Sequence, residues 1–286
     1  MVVENLVETR TAEKHPWRLI LLGALYTVIG CFLAVWVFQS HASIVSVFLT
    51  TLAAVPLMYN VIKFEESKDL QDLEEKFLIK EHGKALKAFI ALFIGMTLAF
   101  STIYILMPSP KADLLFKAQQ ETISAINSKV VGQSVGFTSN AFVKILSNNV
   151  KVLLFAFLFS FLYGFGAIFI LTWNASVIGT AIGNVVKVKI MSIASTMGAV
   201  KIANYFAVIP LAVLRYAIHG IPEILAYFTA GLAGGIVSVA VIRHEWSSRK
   251  FEHIILDSAD LLLLSFALLL IAAVLEVFVT PLVSYL

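Results

Sequence analysis

The chain has 286 residues, 59% apolar and 14% charged, with a net charge of +3 from 21 Lys and Arg against 18 Asp and Glu. Ordinary globular chains carry about 45–50% apolar and about 25% charged residues, so this composition excludes a soluble domain, a disordered chain and a collagen-like one. What is left is a polytopic membrane protein. The basic residues are scattered over many segments rather than gathered in a patch, which argues against nucleic acid as a partner. The single cysteine, Cys31, excludes an intrachain disulfide, and no Cys/His spacing suggests structural zinc.

A helix needs about 20 apolar residues to cross the hydrocarbon core. Residues 19–38, 42–62 and 88–107 each supply that length without a charge, and Pro108 and Pro110 stop the third. Residues 152–186 form a longer charge-free run, too long for one span and too short for two. The pattern predicts a span over 152–173, a break at Asn174, and a short interfacial or re-entrant helix over 175–186 containing Gly179 and Gly183. Spans over 200–218 and 224–242 follow, divided by a turn at His219-Gly220-Ile221-Pro222-Glu223. A last span covers 261–286, interrupted by Glu276 and Pro281. The expected fold is all-α: a polytopic transmembrane helical bundle of about seven spans, one short interfacial or re-entrant helix and an external amphipathic segment, in a single membrane domain over 1–286.

Alternating these spans from a cytoplasmic amino terminus places Arg10, Lys14, Arg18, the six lysines of 63–87, Lys187, Lys189, Lys201, Arg243, Arg249 and Lys250 inside. Lys111, Lys117, Lys129, Lys144, Lys151 and Arg215 fall outside. The excess of basic residues on one side supports a multi-pass plasma-membrane protein with its carboxyl terminus external.

Two polar segments stand out. Residues 63–87 interleave six lysines with seven acids around Leu70, Leu73 and Phe77, and read as a charged cytoplasmic helix. Residues 108–149 carry an apolar stripe of Leu114, Leu115, Ala118, Ile123 and Ile126, which makes an external amphipathic helix lying on the membrane or against a partner. This external segment holds no His or Cys and is too small for a catalytic domain.

Inside the membrane, Arg215, His219 and Glu223 are spaced by four, and ionisable groups at that depth seek partners or water. The turn would place them either in a wet external loop or in a buried polar cluster. His219 and Glu223 supply two ligands at i,i+4, short of a metal site. No metal and no cofactor is therefore expected. Gly179 with Gly183 and Gly231 with Gly235 are GxxxG spacings that let helix backbones approach closely, within one chain or between copies. Glu276 reads as a residue near the outer headgroups.

The run Ser147-Asn148-Asn149-Val150 opens a Phe- and Gly-rich stretch that closes on Leu171-Thr172-Trp173-Asn174-Ala175. His219-Gly220-Ile221-Pro222-Glu223-Ile224-Leu225-Ala226 and Ala230-Gly231-Leu232-Ala233-Gly234 follow. Over 147–242 this resembles the stage II sporulation protein M family of integral membrane proteins, in the branch found mainly in archaea. Ala175 stands where the family usually has Gly, and Ile218 where it has Pro. The resemblance implies a multi-span membrane fold and a scaffold rather than an enzyme. It marks Asn174, Gly220, His219 and Glu223 as motif positions.

The expectation is therefore a non-enzymatic scaffold or assembly factor for a membrane complex. Its partners would be the lipid bilayer, a second copy (a dimer favoured) and a membrane or extracellular protein. The alternative is a channel or transporter using the polar broken-helix region of Arg215, His219 and Glu223. No zinc-ligand helix and no nucleophile paired with a base points to an enzyme.

Overall fold

A computed structural model describes residues 16–69, 75–131, 139–160, 165–193, 199–242 and 249–280. Among these the fold is all-helical, with no strand. In chain order the helices are α1 (Pro16–Val37), α2 (Ala42–Asp69), α3 (Glu75–Leu106), α4 (Ser109–Leu115), α5 (Lys117–Val131), α6 (Ser139–Phe159), α7 (Phe165–Ile193), α8 (Ala199–Ile242) and α9 (Arg249–Val274). A single π-helical turn, Leu275–Val279, extends α9. All but the short α4 and the polar α5 are long and apolar enough to cross a membrane, which makes seven spans.

The expected count holds, but three boundaries move. The first is Asn174, which does not break its helix, so the predicted re-entrant helix over 175–186 does not exist. Its Nδ2 donates to the Ile170 carbonyl one turn back at 2.8 Å, so the amide is satisfied inside α7.

The second is the predicted span over 152–173, which is divided between α6 and α7. At the end of α6 the Ser160 N–H is shared between the carbonyls of Ala156 and Phe157, both at 3.2 Å, a tightening typical of a helix terminus. A side chain at Gly166 would fall on Phe159, so glycine is what lets α7 start so close to the end of α6.

The third is the predicted turn at 219–223, which is absent: α8 runs through both Pro210 and Pro222. Proline removes one backbone hydrogen bond, here the one to the Ile218 carbonyl. Ending the helix would instead leave up to four N–H and four C=O groups unpaired on the two sides of the break. In hydrocarbon each costs several kcal/mol, so continuing past Pro222 is the less costly solution.

The centre of the bundle is α8. Most of its span Tyr216–Val241 is buried, whereas most of Phe142–Phe159 and Phe251–Val279 is not, which places α6 and α9 at the periphery. The Phe89 and Phe93 rings of α3 meet Phe228 of α8 edge-on at 5.7 and 6.1 Å. A side chain at Gly23 would fall on the Leu92 carbonyl, and one at Gly95 on that of Ile20, so α1 and α3 touch backbone to backbone. Gly179 and Gly183 seat α7 on Phe100 and Tyr104 of α3, Gly231 seats α8 on Ala167, and Gly235 seats it on Ile62. Both GxxxG faces are thus used within the chain, and they no longer support a dimer.

The contacts of α7 with α3 run in one direction: Thr172 to Met96, Gly179 to Phe100, Gly183 to Tyr104 and Lys187 to Met107. The two helices are parallel. Lys187 donates to the Met107 carbonyl at 3.0 Å, so it lies on the same membrane face as the end of α3, not on the opposite face as expected. The excess of basic residues on the amino-terminal side narrows accordingly.

The segment 108–149 divides among three helices. Residues from Ser139 onward already belong to α6, while α4 and α5 fold back onto the bundle. Within the charged segment 63–87, residues 63–69 end α2 and residues 75–87 begin α3. Leu70 and Leu73 lie outside the described residues, and the side chain of Phe77 is likewise not described.

Candidate functional site: a polar cluster between two membrane helices

Because α8 is continuous, His219, Glu223 and Tyr227 fall at i, i+4 and i+8 and share one stripe of the helix. The stripe faces α9, the helix that packs most extensively on α8. Across that contact Glu276 arrives from the π-helical turn, and ligand atoms of His219, Glu223 and Glu276 all lie within 4.8 Å of one another. The Tyr227 hydroxyl donates to Glu223 Oε1 at 2.7 Å. His219 Nδ1 pairs with Thr280 Oγ1 at 2.9 Å.

The irregular turn has a clear local role. The Leu275 carbonyl accepts both the backbone N–H of Thr280, five residues on, and the Thr280 hydroxyl at 3.2 Å. One extra residue per turn rotates the positions that follow, and such bulges are frequently found at functional sites. Here the bulge spans the residues that present Glu276 and Thr280 to α8.

His219 and Glu223 lie within the candidate span Tyr216–Val241 of α8, and Glu276 lies within Phe251–Val279, which runs along α9 into the π-helical turn. Two carboxylates this close need compensating positive charge, from a cation or from protons. Tyr227 shares an apolar cluster with Leu153 of α6 and Leu269 of α9. Asn149, beside Val150 in the same three-helix contact, is buried, and its Nδ2 has no hydrogen-bond partner.

Of the residues singled out from the sequence, His219 and Glu223 are brought together. Gly220 is buried one position on, with Ile178 Cδ1 4.0 Å from where its Cβ would be. Asn174 is satisfied within α7 and does not join the cluster. The Arg215 side chain lies outside the described residues. Sequence reasoning missed Tyr227, Glu276 and Thr280. The one available signal is Glu276 itself, an acid inside an apolar run, which from sequence reads as a headgroup residue.

No curated protein and no solved structure matches this chain. The family model described as Stage II sporulation protein M does match, over residues 19–281. With nearly its whole length inside that match, the chain belongs to the stage II sporulation protein M family of multi-pass membrane proteins.

Proposed function

We propose that the chain is a non-enzymatic membrane protein of the channel or transporter class that works through the His219, Glu223, Tyr227 and Glu276 cluster. One observation carries this reading: an imidazole and two carboxylates lie within 4.8 Å of one another inside candidate membrane spans. An acid at membrane depth costs about 2.5–3.5 kcal/mol by insertion scales, and membrane proteins place such groups where ions or protons are handled. The family is not a known enzyme family, in keeping with a non-catalytic role. With α8 continuous, the local irregularity at the site is the π-helical turn that extends α9. The test is cation flux into proteoliposomes, with sodium, potassium, protons and zinc offered separately to wild type and Glu223→Gln. Flux lost in the variant is the expected result, and no flux of any of these cations in wild type overturns the reading.

A second reading, a scaffold or assembly factor, is favoured by the way α4 and α5 are held. Gln119 is fully buried and donates to the Ser43 carbonyl at 3.2 Å and to Ser176 Oγ at 3.1 Å. Phe116 packs edge-on against Phe100 and Tyr104. Lys111, Asp113, Lys117 and Glu121 remain exposed on the other side. This is a rigid, charged platform suited to a protein partner outside the bilayer. Photo-crosslinkers at Asp113 and Glu121 in native membranes should trap a larger complex, and adducts only with lipid or with the same chain sink this reading. A plasma-membrane location with the amino terminus cytoplasmic completes the proposal, since it keeps the lysines of 63–87 inside.

A further inference from the structure

We propose that His219, Glu223 and Glu276 bind one divalent transition-metal ion of the zinc type, held between α8 and α9. This rests on reading the cluster as an ion site and names its ligand. Among the described residues it is the one group of three His, Cys, Asp or Glu side chains close enough to share an ion. A metal bonded to imidazole nitrogen and carboxylate oxygen at about 2.0–2.2 Å needs only small side-chain rotations to draw these atoms together. Three protein ligands leave the fourth position open, the arrangement of a site that exchanges its ion or binds a further ligand.

Charge and ligand type select the ion. Two carboxylates and a neutral imidazole carry −2, which a divalent cation cancels. A monovalent ion leaves a net charge in a medium that solvates charge poorly. Calcium asks for six to eight oxygens and magnesium keeps several waters, whereas a mixed imidazole and carboxylate set suits zinc and its neighbours.

The hydrogen bonds already orient the imidazole for this task. The Thr280 hydroxyl has one proton and donates it to the Leu275 carbonyl, which can only accept. We assign the tautomer in which the hydroxyl oxygen accepts from His219, with the ring proton on Nδ1. That tautomer leaves the lone pair on Nε2 for an ion. A ligating histidine that donates its other N–H to a neighbouring oxygen is the usual arrangement around bound metals. Tyr227 fixes Glu223 in the same way, holding Oε1 and leaving the second oxygen for the ion.

The experiment uses the full chain in detergent micelles, stripped with chelator and titrated calorimetrically with ZnCl2 and, separately, MgCl2. The expected result is one zinc ion per chain and no saturable magnesium binding. His219→Asn, Glu223→Gln and Glu276→Gln should each abolish zinc binding. Thr280→Val, which frees Nδ1 without removing a ligand, should weaken it about 10–100-fold. Should the variants fold poorly, CoCl2 added to wild type decides the matter, since visible d–d absorption displaced by zinc reports the ligand field directly. Absence of zinc binding in wild type, or binding unchanged in folded Glu276→Gln, overturns the proposal. The two readings fail separately. Flux of a monovalent ion without zinc binding removes the metal and keeps transport. Zinc bound one to one without flux of any cation removes transport and leaves a metal clip between α8 and α9.

Discussion

His219 and Thr280 are 61 positions apart in the chain, yet their side chains meet at 2.9 Å, joining the middle of α8 to the end of α9. The contact depends on both irregularities of the two helices. α8 must continue through Pro222 for His219 and Glu223 to share a face, and α9 must widen into a π-helical turn to present Thr280.

Replacing Thr280 by Val removes a hydrogen-bonding hydroxyl at nearly constant volume. The loss should be about 0.5–1.5 kcal/mol, read as a lower melting temperature of the detergent-purified protein. Thr280→Ser keeps the hydroxyl and should melt close to wild type. Equal loss in both variants would mean that the methyl packing, not the hydrogen bond, matters.

Tyr227→Phe leaves the Glu223 carboxyl without its donor. Leaving a buried polar group unpaired costs about 1–3 kcal/mol. Glu223→Gln alone and the double variant close the cycle, and groups in direct contact should be less than additive. Strict additivity in thermal melts would argue that the 2.7 Å hydrogen bond contributes nothing to stability.

Glycine positions divide sharply by what surrounds them. A Cβ at Gly95 lands on the Ile20 backbone, whereas one at Gly83 meets nothing within 4 Å. Gly95→Ala should therefore destabilise by about 1–3 kcal/mol through overpacking. Gly83→Ala, on the same helix, should stabilise by up to about 1 kcal/mol through helix propensity. Chemical or thermal denaturation of the two variants side by side checks the contrast.

Because α7 is parallel to α3, a cysteine at Val188 should label from the same side of the membrane as one at Asp113. A cysteine at Lys63 should label from the other. All three positions are exposed, and the native Cys31 is buried and should stay silent toward an impermeant maleimide. Labelling of positions 188 and 63 from one side would restore the short re-entrant helix over 175–186.

The sequence by itself determined the class of the molecule, because apolar length is a local property. Runs such as 19–38, 42–62 and 88–107 can be satisfied only by helices in a bilayer, and Pro108 with Pro110 ends the third because proline acts on its own turn. The i,i+4 spacing of His219 and Glu223 was legible for the same reason. What only the tertiary structure decided is where helices stop and which polar groups meet. Asn174 and Pro222 are breakers in water, but the bilayer penalises unpaired backbone groups so heavily that both stay inside long helices. Glu276, 53 positions beyond Glu223, joins the cluster because α9 packs along α8 and its last turn is a bulge, and no periodicity within either segment encodes that meeting.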